Sequence, residues 1–469
     1  LKQGHSYSHT IGGAPVTSRN VFEVVNPAHA EAFAIAPAGG ALEVDAAVRA
    51  ALAAFPAWTS TPHDLRVHKL LAFADRIDAE KDMLARLLTM EQGKPLARAE
   101  DEIGNATKYL RKLVQLPMGP DRLTASDGRQ VEIHHRSLGV IAAITPWNVP
   151  VLLAIWKIGH ALVTGNTMVL KPAPTTPLTS LCLGEIGRET LPPGVLNVVS
   201  GGNEVGEAMV THPDVAKISF TGSVAVGRKI GAAAASALKR VTLELGGNDA
   251  AIVLDDADVD TVAPAVFAAA FTNAGQACMA IKRLYVHESR FDSFVRSLRS
   301  SCDQLVVGNG LDEGVQMGPI QNRRQYESVQ SVLQEAEGGP VEFYAGKRPV
   351  PGRGYFLAPH IAINPPAGMR VVQEETFGPV LPVISYKTVE EAVAAANGTS
   401  FGLSGSVWTS DWSRGKQVVA QLEVGSAWIN KHVDYDAHVP FGGMKMSGIG
   451  RENSIFGLRH YTEMQAIYG

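Results

Sequence analysis

Cys278 sits in Asn273-Ala-Gly-Gln-Ala-Cys278, directly after an apolar stretch that patterns as a helix. A cysteine beside a helix core is usually a small buried hydrophobe. Here Asn273, Gly275 and Gln276 break the apolar run, which also suits a nucleophile carried on a turn into a cleft. Glu244 lies at the end of the strand-like run Val241–Leu245, inside Leu243-Glu-Leu-Gly-Gly247. A carboxylate there is costly unless it is paired or put to use, so a salt bridge and a catalytic role both stay open. Asn148 is flanked by Pro146, Trp147 and Pro150, just past the apolar run Val140–Ile144. Strand ends of α/β sheets are where ligands bind; an Asx-type turn is the plain alternative. Gly222 and Gly227 bracket a fourth feature. Their spacing matches a nucleotide P-loop, but Arg228-Lys229 stands where Lys followed by Ser or Thr is required. What remains is strand, Gly, four residues, Gly, helix, which can aim backbone N–H groups at a pyrophosphate. An unliganded βα turn with two glycines fits the same residues.

The elements that must position these residues follow a regular beat. Val140–Ile144, Thr167–Leu170, Val195–Val199, Lys217–Phe220 and Val241–Leu245 pattern as strands. Between them Val151–Leu162, Leu178–Thr190, Glu204–Thr211 and Val226–Leu238 pattern as helices. Short apolar strands alternating with helices mean βαβ units and a parallel sheet covered on both faces. A second series follows, with strands Ala250–Leu254, Lys282–Val286, Val380–Ser385 and Gly405–Thr409. Its helices are Val259–Thr272, Phe291–Leu305, Val389–Ala396 and Arg414–Leu422. Ahead of both, Val44–Phe55 and Asp64–Ile77 carry apolar residues at helical spacing.

Composition excludes several classes. The 469 residues suggest two or three domains. With 42 Lys+Arg against 46 Asp+Glu and no long run of one sign, there is no basic surface for nucleic acid. The apolar stretch Gly139–Val163 contains Pro146, Asn148, Pro150 and Lys157, which makes a poor membrane span. Leu1–Thr10 is polar and lacks a signal core. Three cysteines, Cys182, Cys278 and Cys302, are too few for a disulfide framework, so a reducing, cytoplasmic setting is expected. The 14 histidines form no ligand pattern, so no metal site is expected.

Taken together, the motifs resemble the aldehyde dehydrogenase superfamily, in its hydrolytic NAD(P)-dependent branch. The resemblance rests on Thr145-Pro-Trp-Asn148, Lys171-Pro, Phe220-Thr-Gly-Ser223, Leu243-Glu-Leu-Gly-Gly247 and Gly275-Gln-Ala-Cys278. Glu374-Glu-Thr-Phe-Gly-Pro379 and Pro440-Phe-Gly-Gly443 with Ser447-Gly448 complete it. Seven motifs in order span nearly the whole chain.

The resemblance implies that Cys278 attacks an aldehyde, that Asn148 helps hold the oxyanion, and that Glu244 activates water to release the acid. It implies cofactor contacts from Trp147, Lys171, Gly222, Ser223, Gly227, Glu375 and Phe377. Pro174 stands where NAD-preferring members often carry a carboxylate, so NAD is expected with NADP also admitted. Val149, Trp156, Thr272, Met279, Tyr435 and Phe441 match the substrate wall, which is mostly apolar and offers no evident Arg for a carboxylate-bearing substrate. Lys157 and Glu452 match either a proton relay or a structural ion pair.

The implied architecture is α/β: a Rossmann-like NAD(P)-binding domain (1–118 and 138–246), an α/β catalytic domain (247–446) and a small β oligomerisation arm (119–137 and 447–469). The arm's strand-like segments, Arg129–Arg136 and Thr462–Tyr468, imply a homodimer or homotetramer. The expected partner is a small-molecule aldehyde, with no nucleic acid and no membrane. A CoA-acylating relative and a non-catalytic relative are the competing readings. Glu244 weighs against the first, and Cys278 with Asn148 against the second.

Overall fold

The computed structural model describes residues 6–469, so Leu1–His5 of the polar N-terminal stretch lie outside the described residues. Two large sheets organise the chain. The first has eight strands, in the order Ala14–Val16, His9–Ile11, Leu196–Val198, Thr167–Lys171, Val140–Ile144, Val215–Thr221, Arg240–Glu244 and Gly448–Ile449. Its five inner strands are parallel and, counted in chain order, stand 3-2-1-4-5, the doubly wound order. The crossovers are the helices Pro150–Val163, Leu178–Thr190, Asn203–Thr211 and Val224–Ser236. Val140–Ile144 and Thr167–Lys171 are buried almost throughout, which is why they are continuous apolar runs rather than alternating ones.

Register matters most for the site. Ile144 pairs with both Lys171 and Phe220, and Thr221 pairs with Glu244. The carboxyl ends of four strands are therefore level, and the Thr145, Lys171, Gly222 and Glu244 segments leave the sheet along one edge.

The second sheet has seven strands, in the order Glu342–Ala345, His360–Ile363, Val380–Tyr386, Ile281–His287, Asp249–Val253, Ser404–Trp408 and Ser426–Ile429. All its pairings are parallel except that of Glu342–Ala345. Helix Ala41–Ser60 packs on the first sheet through Val44, Val48 and Ala51, while His63–Ala79, Lys81–Gln92 and Leu96–Leu113 cover its crossover helices through Leu70, Phe73, Leu87, Ile103 and Leu110. Glu91, on the third of these, reaches the start of Leu178–Thr190, which begins at Pro177 and has no side-chain cap of its own. It accepts from the N–H groups of Leu178 (2.8 Å) and Thr179 (3.0 Å), satisfying donors every helix start leaves open.

The edges depart from the sequence expectation. The first sheet is mixed, because His9–Ile11 and Gly448–Ile449 pair antiparallel to it. These strands are only two or three residues long, too short for any alternation to register. Gly448–Ile449, within the segment expected to form the arm, also pairs in this sheet. The segments Asp121–Thr124, Gln130–Ser137 and Thr462–Tyr468, from the stretches expected to form the arm, make a separate three-stranded sheet. The hairpin Val21–Asn26 with Glu31–Pro37 was likewise not expected among the N-terminal helices.

Candidate active site

A cavity of about 860 Å³ opens at the level edge of the first sheet and is walled across from it by loops of the second. Asn148, Glu244 and Cys278 all line it. So do the six residues expected to face substrate: Val149, Trp156, Thr272, Met279, Tyr435 and Phe441. The ring of Trp156 meets those of Tyr435 and Phe441 edge-on, with centroids 5.3 and 5.6 Å away.

Cys278 reaches the cavity through a backbone reversal. The helix expected to run to Thr272 stops at Ala270, and Asn273, Ala274 and Gly275 take left-handed conformations (φ 49°, 57° and 71°). Asn tolerates that region and Gly is free in it, but Ala274 is strained by roughly 1–2 kcal/mol. Gly275 is obligatory for a second reason: a Cβ there would lie 2.1 Å from the Gly378 carbonyl oxygen. Gln276 clamps the turn. Its Nε2 donates to the Asn273 carbonyl (2.9 Å) and its Oε1 accepts from the Gln321 N–H (2.9 Å). Desolvation, with the Glu375, Asp249 and Glu244 carboxylates, pushes the Cys278 thiol up to about 12, against the pull of Lys282.

Two donors flank that thiol. Asn148 is fixed through its carbonyl, which accepts from Lys94 Nζ (3.1 Å) and Asn273 Nδ2 (3.0 Å). Its own Nδ2 donates one hydrogen to the Gln276 carbonyl (2.9 Å), leaving the second free. The Cys278 N–H has no acceptor among the described residues.

Glu244 is buried, and neither carboxyl oxygen has a partner among the described residues. Burial, reinforced by Glu452, raises it well above the ordinary carboxylate range, against opposition from Lys157 and Arg451. Behind it lies a buried polar chain. Lys157 Nζ pairs with Glu452 Oε1 (2.8 Å) and donates to Ser219 Oγ (2.9 Å), which also accepts from the Tyr461 hydroxyl (2.8 Å). The structural ion pair left open by the sequence is thus formed, directly behind the carboxylate that faces the cavity.

The residues expected to meet the cofactor lie outside the cavity lining, along the neighbouring strand ends. Gly222 and Gly227 permit close packing: a Cβ would come within 2.5 Å of the Phe220 ring and 2.4 Å of Leu245. Ser223 is the N-cap of Val224–Ser236, with its hydroxyl accepting from the Val226 N–H (3.4 Å), so the first N–H groups of an unencumbered helix start face outward. Lys171 is buried, and its ammonium makes one hydrogen bond among the described residues, to the Pro172 carbonyl (3.1 Å). Desolvation lowers its ammonium to about 8. Trp147 and Phe377 meet edge-on with centroids 5.4 Å apart. Glu375 accepts from the Gly247 N–H (3.1 Å) and is pushed up to about 7 by desolvation. A helix start with open donors, a lysine with spare protons and an aromatic pair suit a dinucleotide's phosphates, ribose and rings.

Some site features escaped the sequence reading. Arg98 does line the cavity, contrary to the expectation of no arginine there, but it is exposed and paired with Asp101 (3.4 Å). Lys94 and Glu102 form a buried ion pair on the same wall, and Glu102 accepts from the Val151 and Leu152 N–H groups (2.9 and 3.2 Å). Glu204 supplies a carboxylate that supports the charge of Lys171, although Pro174 does not. Lys282 was legible as a lysine inside an apolar strand; the others depend on long-range packing.

A doubly wound sheet feeding a cavity that holds a cysteine, an amide and a buried carboxylate defines an α/β oxidoreductase of the dinucleotide-using class. The chain belongs to the aldehyde dehydrogenase family, whose sequence model matches residues 15–467. It is 40% identical to phenylacetaldehyde dehydrogenase of Pseudomonas fluorescens, over 97% of this chain and 94% of that protein. It is 39% identical to succinate-semialdehyde dehydrogenase (NADP(+)) GabD of Escherichia coli K12, over 94% of this chain and 93% of that one. The solved NAD+ complex of aldehyde dehydrogenase from Bacillus cereus superposes with a TM-score of 0.96 at 34% identity, covering 99% of this chain and 96% of that one.

The raised thiol makes a direct prediction. In cofactor-free protein, alkylation of Cys278 by iodoacetamide should accelerate about tenfold per pH unit between pH 7 and 9, because only the thiolate reacts. A rate that is flat across this window would mean that the thiolate is already formed at neutral pH.

Proposed function

We propose that this chain oxidises an apolar aldehyde to its acid with NAD(P), using Cys278 as nucleophile, Asn148 and the Cys278 N–H as oxyanion donors, and Glu244 as general base. The observation that carries the reading is the shared cavity: a thiol, two free donors and an unpartnered carboxylate face one space. The Cys278 thiolate forms a bond to the aldehyde carbon, and the carbonyl oxygen becomes an anion. Asn148 Nδ2 and the Cys278 N–H meet that charge where it develops. When bound, the nicotinamide of NAD(P) supplies the acceptor for the hydrogen and electron pair that leave the tetrahedral carbon. A thioester remains on Cys278. Glu244 then takes a proton from water, the hydroxide adds to the thioester, the C–S bond breaks and the acid departs. A desolvated carboxylate is a stronger base once ionised, and Lys157 with Glu452 offers its proton a route inward.

Lys171 would hold the adenine ribose, Ser223 and the Gly222–Gly227 loop the pyrophosphate, and Glu375 the nicotinamide ribose, with Trp147 and Phe377 flanking it. The substrate wall of Trp156, Tyr435, Phe441, Val149 and Met279 suits an aryl or alkyl aldehyde. Of the relatives named, the one acting on phenylacetaldehyde fits this wall. The only arginine of the lining, Arg98, is already paired at its rim. Formation of acid without CoA separates this reading from the CoA-acylating one. Three free thiols suit a cytoplasmic setting.

Replacing Glu244 by Gln should leave a first-turnover burst of reduced cofactor while steady turnover falls by roughly two orders of magnitude or more. Loss of the burst as well would mean that Glu244 acts before the thioester forms. Coenzyme choice should rest on Glu204 rather than Pro174. Replacing Glu204 by Gln should raise the NADP-to-NAD ratio of kcat/KM, and Pro174→Glu should lower it; no change in either variant would place the determinant elsewhere. The arm exposes Leu123, Met464, Ile467 and Tyr468, an apolar set on an open three-stranded sheet that a second copy would cover. Light scattering at micromolar concentration should give a dimer or tetramer, and a clean monomer would contradict this assignment.

A further inference from the structure

Lys282 is buried on the strand Ile281–His287, four residues past Cys278. Burying an ammonium is costly unless it is put to use. Its one hydrogen bond among the described residues goes back to the Ala277 carbonyl. That carbonyl and the Cys278 N–H belong to the same peptide unit. In a planar trans peptide the two point in opposite directions, so a grip on the oxygen fixes where the N–H is aimed. A cation on the oxygen also polarises the peptide and strengthens its N–H as a donor. We propose that Lys282 is a positioning residue for the oxyanion site, holding the Ala277–Cys278 peptide so that its N–H faces the cavity. The proposal rests on the reading of Cys278 as nucleophile.

The surroundings hold the ammonium in place. It lies 5.3 Å from the centroid of the Phe377 ring, within cation–π range. Burial lowers its pKa, and Glu375, from the loop before Val380–Tyr386, Asp249, from the neighbouring strand, and Cys278 oppose that shift. His432 faces it as well and is kept neutral by its own burial. Neighbouring Arg283 points to the other side of the strand, to the Asn248 and Ala396 carbonyls (2.8 Å each from Nη2). The alternation of the strand thus sends one cation to the catalytic turn and the other to scaffold.

The test uses the full-length enzyme with NAD and phenylacetaldehyde, comparing wild type, Lys282→Met and Lys282→Arg. In Lys282→Met the first-turnover rate should fall roughly 10–100-fold, as for a mis-aimed donor, with the aldehyde KM within about threefold of wild type. Alkylation by iodoacetamide builds no oxyanion, so it should fall at least about tenfold less than the burst. Lys282→Arg, which keeps the charge and a donor, should recover most of the burst. An unchanged burst in folded Lys282→Met overturns the proposal. Equal losses in burst and alkylation also overturn it, since Lys282 would then act on the thiol's charge. If circular dichroism shows Lys282→Met unfolded, Lys282→Gln carries the same comparison. A wild-type protein that reduces neither NAD nor NADP with phenylacetaldehyde or an alkyl aldehyde would overturn the aldehyde reading itself and this proposal with it.

Discussion

A carboxylate buried without a hydrogen-bond partner is the constraint around which this molecule is arranged. Glu244 ends a parallel strand and faces a cavity, and desolvation of such an ion costs several kcal/mol. The fold offsets part of that cost with long-range charge. Lys157 and Arg451 oppose the desolvation of Glu244, and Lys157 is in turn held by Glu452 and Ser219. Glu452 comes from the segment joining Gly448–Ile449 to the helix Ser454–Arg459, nearly three hundred residues from Lys157 in the chain. The short antiparallel strand Gly448–Ile449 docks that segment directly on Glu244, pairing Gly448 with it. The C-terminal closure of the first sheet is therefore part of the site, even though it contributes nothing to the cavity wall.

The thiol side obeys a different constraint, steric rather than electrostatic. Three left-handed residues in succession turn the chain so that Cys278 leaves the helix axis and enters the cavity. Gly275 must pass under the Gly378 carbonyl, and the neighbouring Phe377 is itself at φ 51°. Strain of this kind persists only where surrounding bonds over-determine it. Gln276, Gln321 and Asn273 supply those bonds here.

Much of this was legible in the sequence, and what was not has physical reasons. Val140–Ile144, Leu178–Thr190 and Thr462–Tyr468 match their expected bounds, because each is a clean periodic or apolar run between turn residues. The cavity residues Asn148, Glu244 and Cys278 were legible because each interrupts such a run at its end. The edge strands were not, since two or three residues carry no period. Nor were Lys94, Glu102 and Glu204. A glutamate on a helix, like Glu102 or Glu204, or a lysine in a helix–helix link, like Lys94, looks the same whether it faces solvent or is buried against a distant segment, and only the packing decides. The left-handed turn at Asn273–Gly275 was half legible: Asn and Gly mark it, but Ala274 gives no sign of the conformation it is forced to adopt.

The Gly246-Gly247 pair after Glu244 shows why the two halves of the site cannot be adjusted separately. A Cβ at Gly246 would fall 2.1 Å from Glu375 Oε2, and the Gly247 N–H is the donor that Glu375 Oε1 accepts. A Cβ at Gly247 would lie 2.6 Å from the Cys278 carbonyl oxygen. One dipeptide therefore sits between the proposed base, the carboxylate proposed to hold the cofactor ribose, and the backbone of the proposed nucleophile. Any side chain at either glycine would separate groups that must converge on one carbon. Lys282 joins two of these parties, the backbone ahead of Cys278 through the Ala277 carbonyl and Glu375 through its charge, and it also lies over the Phe377 ring. Close packing at Gly246 and Gly247 holds the Cys278 backbone and Glu375 near each other, and both act on the buried Lys282 ammonium. The parallel register of the first sheet then needs only to deliver Glu244 and Asn148 to the same edge.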